Sequence, residues 1–340
     1  MQSRGKDLYS AIGHWQIRQV SRSDWDGYFR ICSNPNMLQS WEYGQAKEDA
    51  GRWKALRLVV FNEDSKPIAL VQVLTWCLPI LGGVARINRG PLLLVEESRD
   101  ELQLNIDVLN VLMREARRRR WWVIQIAPEI SDSESARQAM LDLRLRKQDN
   151  IPWASGLIDL GLSEQELYGR LNRRWQRTLK KAANLGVIVK EVKLTEERLA
   201  DVLKSYADLQ KRNEFGGINS GFIEKMASRQ SGDFYIYLYV AEFSSNSGLN
   251  EHLGYRLIVK NGCTAFDFLV STNERGRELE ANSALYWHAI IHAKQCGCAW
   301  FDIGGLNEAT PKGIAEFKQG LNALPYKLVG EWRKFNYILI

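Results

Sequence analysis

The spacing of apolar residues divides the first half of the chain into two strands, a helix and a further strand. Residues 55–61 (ALRLVVF) and 68–76 are mostly apolar and flank a short polar turn, which predicts a β-hairpin. Residues 102–120 carry apolar positions at helical spacing, and the apolar run 121–127 (WWVIQIA) follows at once. The pattern therefore predicts a hairpin, a helix and a closing strand, in that order.

The second half of the chain repeats this order of elements. Residues 234–243 and 252–259 predict another hairpin, and 263–271 (CTAFDFLVS) a further strand. A helix is predicted over 282–295, and 299–303 (AWFDI) predicts the closing strand. The second half therefore resembles the first in its order of strands and helix.

Matching positions in the two halves lie at a nearly constant offset, with Val60 corresponding to Val240 and Trp122 to Trp300. Self-similarity at such a long period indicates two copies of one supersecondary unit. We therefore predict an α+β fold of two domains, residues 1–160 and residues 161–340. Each domain is expected to contain a mixed, mostly antiparallel sheet flanked by helices.

Composition is that of a globular protein, because 25% of the 340 residues are charged and 45% are hydrophobic. The uncharged stretch 67–85 approaches the length of a membrane-spanning helix. Pro79 and the Gly82–Gly83 pair would break such a helix, so a buried strand that runs into a loop is favoured. Residues 1–13 lack the apolar core of a secretory signal. We expect a cytoplasmic protein, with the inner face of the membrane as the alternative location.

Cysteine and histidine residues do not predict a metal site. The Cys296-x-Cys298 pair is too closely spaced for a zinc knuckle, and no second pair accompanies it. His288 and His292 lie four apart on the predicted helix, but no third ligand lies nearby in the sequence. We therefore assign no metal.

A basic helix is predicted between the two repeats, over residues 163–185, with its apolar stripe at every fourth position from Leu167 to Leu179. Gly186 is expected to end it, and residues 187–192 to form a strand. Six cations lie on the remaining face with no acidic residue between them: Arg170, Arg173, Arg174, Arg177, Lys180 and Lys181. This face is either a solvated surface or a site for the phosphates of a polyanion such as RNA. Arg117–Arg120 is a second basic run, which the C-terminal dipole of its helix explains.

The C-terminal region carries the most informative pattern. Phe301-Asp302-Ile303-Gly304-Gly305 ends a strand with a carboxylate and two glycines, which permit a close approach of backbone to a ligand. The following short helix, residues 313–320, bears Phe317 and Lys318. Taken singly, Asp302 would be a turn cap and Lys318 an exposed surface lysine whose loss leaves folding intact.

Together these segments resemble the C-terminal signature of the Fem family, the aminoacyl-tRNA-dependent transferases that build peptidoglycan interpeptide bridges. The pattern is D-I-G-G-L at Asp302, then G-I-A-E-F-K-Q-G at Gly313, then Gly330-Glu331-Trp332. Three more segments are similar to the family in the same order: 38–44 (LQSWEYG) with Lys47, 89–91 (RGP), and 174–189 (RWQRTLKKAANLGVIV). The resemblance runs from about residue 25 to 335.

The resemblance implies two tandem GNAT-like domains, and the chain shows no heptad segment long enough for the coiled-coil arm of many family members. It implies that Lys47 and Arg212 bind phosphates of the acceptor, and that Phe317 and Lys318 line the channel for the aminoacyl end of tRNA. Lys318 and Asp302 are the expected catalytic residues. The donor contacts are expected from Phe317, Arg173, Arg174, Arg177, Lys180 and Lys181.

The expected activity is transfer of an aminoacyl group from aminoacyl-tRNA to an amine of a nucleotide- or lipid-linked muropeptide or a similar acceptor, with no cofactor besides the donor. Two alternatives stay open. One is an acyl-CoA-dependent N-acyltransferase of envelope assembly, although residues 273–279 (NERGREL) are at best a degenerate form of the acetyl-CoA loop. The other is a non-catalytic RNA-binding protein that uses the basic clusters.

Overall fold

The computed structural model describes residues 14–78, 81–94, 100–213, 217–244 and 250–336, so Pro79 and residues 1–13 lie outside the described part. The chain forms two compact units. One consists of Met1–Trp153 together with Lys327–Ile340, and the other consists of Ala154–Tyr326.

The α-helices and strands within residues 16–147, all in the first unit, are given in chain order. They are β1 (Gln16–Gln19), α1 (Arg22–Arg30), α2 (Trp41–Asp49), β2 (Lys54–Phe61), β3 (Pro67–Leu78), β4 (Gly82–Asn88), β5 (Leu92–Leu93), α3 (Glu101–Arg118), β6 (Trp121–Ala127), α4 (Glu134–Asp142) and β7 (Arg146–Lys147).

The remaining elements include the whole second unit and the final return of the chain. They are β8 (Ala154–Asp159), α5 (Glu164–Arg170), α6 (Arg173–Asn184), β9 (Val187–Val192), α7 (Glu196–Asn213), α8 (Ser220–Ala227), β10 (Phe234–Ser244), β11 (Asn250–Asn261), β12 (Thr264–Thr272), α9 (Glu274–Glu278), α10 (Ala281–Gln295), β13 (Trp300–Asp302), α11 (Lys312–Gln319), β14 (Leu324–Lys327) and β15 (Trp332–Phe335).

The sheet of the first unit has the strand order β1-β2-β3-β4-β6-β15-β7, with β5 beside β3. Its neighbours are antiparallel except for the parallel pair β4 and β6. Helix α3 covers one face, because Leu104, Val108 and Leu112 recur at helical spacing and are buried in the same core as the sheet. Asp100 caps this helix by accepting a hydrogen bond from the amide of Gln103.

The sheet of the second unit has the order β14-β8-β13-β12-β11-β10-β9. Its parallel pair is β12 and β13, whereas β13–β8, β12–β11, β11–β10 and β10–β9 are antiparallel. Helix α10 packs its buried side chains Leu285, Tyr286, Ala289 and Ile290 into the core of this unit. Two mixed, mostly antiparallel sheets flanked by helices confirm the predicted α+β fold and its repeat.

Two local expectations differ from the structure. The predicted single helix over 163–185 is two helices, because Leu171 has an extended backbone and Asn172 caps α6 by accepting from the amide of Trp175. The expected loop after β3 is the strand β4, which pairs with β3 through residues 82–86. Among the described residues, no helix is long and apolar enough to cross a membrane.

The predicted domain limits at residues 160 and 161 also differ from the division into two compact units. Strand β8 lies in the second sheet, where it pairs with β13, so the change of unit comes before it, at Trp153–Ala154. Strand β15 pairs with β6 and β7 of the first sheet. Sequence periodicity does not reveal this return, because the register of a sheet depends on partners that are distant in the chain.

Candidate active site

The candidate site lies in the second unit, where the parallel strands β12 and β13 part. They pair over three residues only, from Thr264 opposite Trp300 to Phe266 opposite Asp302. Strand β13 ends there, while β12 continues for six more residues, to Thr272. Beyond Phe266, this edge of β12 has no strand partner among the described residues, so side chains from the neighbouring segments approach it.

The turn after β13 requires glycine at position 304. Gly304 has φ of +67°, a conformation that other residues rarely adopt. An added Cβ atom would lie 3.2 Å from the backbone oxygen of Asp267 and 3.5 Å from Nζ of Lys318. The absence of a side chain therefore brings the backbone at 304 close to both residues.

Asp302 fixes this turn from inside the unit. Its Oδ1 accepts hydrogen bonds from the amide of Gly304, at 2.9 Å, and from the hydroxyl of Ser155, while Oδ2 accepts from the hydroxyl of Tyr326 at 2.6 Å. The carboxylate is almost fully buried. These contacts give Asp302 the geometry of a group that positions Gly304.

Lys318 extends from α11 to the parted strands. Its Nζ donates a hydrogen bond to the carbonyl oxygen of Gly304 at 3.0 Å and lies 3.8 Å from Oδ2 of Asp267. The expectation of an exposed lysine is wrong, because only 13% of the side chain is accessible. Burial lowers the pKa of Lys318, an effect that the nearby carboxylate of Asp267 opposes.

A second buried cation, Arg256 of β11, completes the charges around Asp267. Its guanidinium pairs with Oδ1 of Asp267, donates to Oδ1 of Asn282 at 2.7 Å and lies over the ring of Tyr286 at 3.9 Å. Sequence reasoning missed Arg256 and Asp267. Both interrupt runs that are otherwise uncharged and mostly apolar, residues 253–259 and 265–270, and a charge at such a position signals a buried partner.

The basic helix α6 is fixed directly to the helix that carries Lys318. The indole of Trp175 packs on the ring of Phe317, with centroids 4.6 Å apart, and its Nε1 donates to the carbonyl oxygen of Phe317 at 2.6 Å. Gly320 permits this approach, because a Cβ atom there would lie 2.3 Å from the indole. The predicted donor residue Phe317 thus packs in one aromatic cluster with Trp175 and the core residue Tyr286, which also contact each other.

The predicted donor-binding cations all lie on the exposed face of α6. Arg173, Arg174, Arg177, Lys180 and Lys181 are exposed, while Trp175 and Ala182 are buried on the opposite side. Lys181 pairs with Glu280 at 3.0 Å. The other four have no carboxylate partner within the described part of the chain, so α6 presents a face of unneutralised positive charge.

The two predicted phosphate contacts lie in different units. Lys47, on α2 of the first unit, is half-buried over the ring of Tyr43, and burial together with the positive charge of Arg86 lowers its pKa. Arg212 lies exposed near the end of α7 in the second unit. Of the segment that suggested Arg212, Glu214 and Phe215 lie outside the described residues. The joint role of Lys47 and Arg212 in phosphate binding stays a prediction.

The degenerate acetyl-CoA segment forms the short helix α9. The side chain of Asn273 caps this helix by accepting a hydrogen bond from the amide of Gly276 at 2.7 Å. A Cβ atom at Gly276 would lie 2.2 Å from the carbonyl oxygen of Leu253, so the absence of a side chain at position 276 permits close packing against the backbone of Leu253. The amide that a bound pyrophosphate would need at this position is therefore already satisfied.

Comparison with known proteins agrees with this architecture. Residues 169–327 match the family model described as an acetyltransferase (GNAT) domain. The crystal structure of FemX is similar at a TM-score of 0.77 and 14% identity, and the alignment covers 94% of this chain and 97% of that one. The fold is a pair of tandem GNAT-like domains. The resemblance to the Fem family is thereby confirmed at the level of the fold.

Two further solved structures share the fold at lower similarity. A tandem GNAT protein from the clavulanic acid biosynthesis pathway has a TM-score of 0.53 and 10% identity, covering 94% of this chain and 98% of its own. L-PGS from Bacillus licheniformis has a TM-score of 0.51 and 11% identity, covering 93% of this chain and 92% of its own. Among curated proteins, no sequence matches the chain. These solved structures therefore share the fold of the two units.

Proposed function

We propose that the protein is an N-aminoacyltransferase that takes its acyl group from aminoacyl-tRNA and transfers it to an amine of a peptidoglycan precursor or a related acceptor. One observation carries the proposal. The exposed basic face of α6 and the buried ammonium of Lys318 belong to two helices that are held together by the contact between Trp175 and Phe317. A polyanionic donor and its reactive end would thus be bound by one rigid pair of helices.

The basic face suits a tRNA backbone. The four unpaired cations and Lys181 occupy about a third of the helix circumference, at roughly 100° per residue. Phosphate contacts of this kind supply most of the sequence-independent affinity for nucleic acid. An acyl-CoA donor is disfavoured because residues 273–279 are at best a degenerate acetyl-CoA loop, and the side chain of Asn273 already accepts from the amide of Gly276 there.

The chemistry asks little of the protein, because an aminoacyl ester is already activated. The acceptor nitrogen forms a bond to the ester carbonyl carbon, the bond from that carbon to the ribose oxygen breaks, and the proton lost by the amine finishes on the ribose oxygen. Negative charge develops on the carbonyl oxygen and then on the ribose oxygen. The ammonium of Lys318, oriented by Gly304 and Asp267, supplies a fixed positive charge on a mostly buried side chain, and burial strengthens its interaction with the developing negative charge.

The remaining polar groups hold this ammonium in place. Asp302 fixes the turn that presents the carbonyl oxygen of Gly304, and Arg256 holds Asp267. We therefore assign Asp302 a positioning role and reserve the catalytic role for Lys318.

The acceptor is proposed to carry phosphate groups, which Lys47 and Arg212 bind. If both contacts stabilise ground state and transition state equally, Lys47→Ala and Arg212→Ala will raise KM and leave kcat nearly unchanged. Steady-state kinetics with a pyrophosphate-linked acceptor and its phosphate-free counterpart measure this. Removal of the phosphates should abolish the effect of both substitutions, since the two changes delete one interaction. An undiminished effect on the phosphate-free acceptor would contradict the assignment.

A donor comparison tests the proposal as a whole. Radiolabelled aminoacyl-tRNA and acyl-CoA are supplied in parallel with one panel of acceptors, nucleotide-linked muropeptide among them. Transfer from aminoacyl-tRNA, lost in Lys318→Met, is the expected result. Transfer from acyl-CoA alone would replace the proposal with the acyl-CoA alternative. Binding of tRNA without transfer to any acceptor would favour the non-catalytic RNA-binding alternative.

A further inference from the structure

A cavity of about 670 Å³ lies entirely in the first unit, away from the residues assigned above. It is lined by the C-terminal half of α3, the turn between α4 and β7, and the end of β15. Its lining residues include five cations and one carboxylate: Arg114, Arg117, Arg144, Arg146, Lys334 and Asp142. We call it the arginine cavity.

The lining of the arginine cavity carries more positive than negative charge. The carboxylate of Asp142 accepts a hydrogen bond from Gln138 at 2.9 Å. Within the described ranges of the chain, no carboxylate pairs with Arg117, Arg144 or Arg146. Burial and the positive charges of Arg117 and Arg144 lower the pKa of Lys334, which shows that these cations act on one another.

The arginines of the basic run 117–120 differ in their surroundings, and only Arg117 lines the cavity. Glu115 is buried and pairs with both Arg118 and Arg119. Arg117 instead lines the cavity. The available carboxylate thus neutralises the arginines beside the cavity and leaves Arg117 for a ligand.

Arg144 occupies a backbone position that favours another residue type. It follows the end of α4 with φ of +58°, where glycine or asparagine is the usual choice. An arginine there is strained, and this cost is consistent with a side chain retained for an interaction.

The cavity also offers apolar surface. Met113, Leu143 and Leu145 are buried in its lining, and Phe335 is 44% exposed at the end of β15. The ring of Phe335 lies on the face of β15 opposite Lys334, so the buried apolar side chains and the guanidinium groups are what a ligand would meet, and they suit a small organic molecule that carries phosphates. The volume falls within the usual range for small-molecule sites, about 300–1,000 Å³.

We propose that the arginine cavity binds a small organic diphosphate. The guanidinium groups bind the phosphates, and the apolar lining contacts the organic part of the ligand. This site is separate from the proposed acceptor contacts. Lys334 shares its face of β15 with the core residue Trp332, whereas Arg86, beside Lys47, alternates on β4 with the core residues Ala85 and Ile87. The two sites therefore lie on opposite faces of the first sheet.

Calorimetric titration of the full chain at low salt tests the proposal, with UDP, ADP, inorganic pyrophosphate, uridine and a short single-stranded RNA as probes. We expect the nucleoside diphosphates to bind, pyrophosphate to bind more weakly, and uridine not to bind. Arg144→Gly and Arg117→Ala should each weaken diphosphate binding about tenfold. Arg144→Gly also relieves the backbone strain, so the loss cannot come from misfolding.

Three controls sharpen the result. Arg118→Ala removes the same charge one residue away from the cavity and should change the affinity less than twofold. Because Lys47 and Arg212 are proposed to bind phosphates as well, the titrations are repeated in the Lys47→Ala/Arg212→Ala double variant, which should keep the diphosphate site that Arg117→Ala weakens. Phe335→Ala should change the affinity less than twofold, because the ring of Phe335 lies on the opposite face of β15 from Lys334. Equal losses for Arg117→Ala and Arg118→Ala, an absence of diphosphate binding at millimolar concentration, or a loss confined to the RNA probe would each overturn the proposal.

Discussion

The two units contain the same parallel strand pair, closed in the first and open in the second. Strands β4 and β6 pair over six positions, from Gly83 opposite Trp121 to Asn88 opposite Ala127. Strands β12 and β13 pair over three, and β12 continues alone. In the first unit the pair is therefore a continuous part of the sheet, whereas in the second it ends where Lys318, Asp267 and Gly304 meet.

The difference shows how one supersecondary unit acquires a site. A closed pair satisfies its own backbone groups and leaves no space for a ligand. An open pair exposes strand backbone and permits charged side chains from neighbouring segments to enter, at the cost of burying them. The second unit offsets this cost by pairing Arg256 with Asp267 and by engaging the amine of Lys318 with Gly304.

The largest effect on stability is expected when the buried ion pair between Arg256 and Asp267 is broken. Arg256→Met leaves Asp267 buried without its closest partner, so the free energy of unfolding should fall by about 3 kcal/mol or more. Arg137→Met, in the first unit, removes an arginine that is 42% exposed from its pair with Asp132. This substitution should cost about 1 kcal/mol or less.

Urea denaturation measures both changes, and hydrogen exchange at β12 and β6 assigns each loss to its sheet. A loss at Arg256 no larger than the loss at Arg137 would show that the open pair does not depend on its buried charges.

The basic face of α6 has the next largest expected effect. Charge reversal to glutamate at Arg173, Arg174 and Arg177 should weaken tRNA binding at least tenfold and reduce its salt slope by about 2–3, since each phosphate contact contributes about 0.9. Filter binding across a range of salt concentrations measures both quantities. The matched control reverses three exposed cations of the first unit, Arg52, Lys54 and Lys66, and should leave the slope nearly unchanged. Equal effects of the two triple variants would mean that net charge alone governs binding.

A smaller effect is expected from pH. Because burial lowers the pKa of Lys318 below its usual 10.5, the ammonium that assists transfer is present at neutral pH and is lost as the pH rises through that lowered value. The ratio of wild-type kcat to that of Lys318→Met should therefore fall on the alkaline side, before pH 10.5. Lys318→Arg should keep its residual activity to higher pH, since an arginine stays charged there. A ratio that is constant up to pH 10.5 would contradict a role for the charged lysine.

The regular part of the fold could be predicted from the sequence. The strand over 121–127 was predicted at its observed bounds, and the predicted helix over 102–120 differs by at most two residues from α3. Both have a strong local period and few competing signals. The break at Asn172 was missed, because an apolar stripe continues through it, although asparagine is a good N-cap and so was the available signal.

The site was only partly predictable. Lys318, Phe317 and Asp302 follow from a local pattern near the end of a strand. Arg256 and Asp267 lie on separate strands, and only their pairing across the sheet makes them part of the site. The burial of Lys318 depends on the open strand pair, and local sequence does not show where two strands stop pairing.

Single-turnover transfer by Lys318→Met tests most directly whether the open strand pair is the reaction centre. Loss of a charge that acts in the transition state should lower the rate about a hundredfold or more, with partial recovery in Lys318→Arg. Lys294→Met is the matched control. Lys294 also donates to a backbone carbonyl, that of Leu160 at 2.9 Å, but away from the parted strands, so its loss should leave the rate nearly unchanged. Near-normal transfer by a folded Lys318→Met, or equal losses in both variants, would contradict the account.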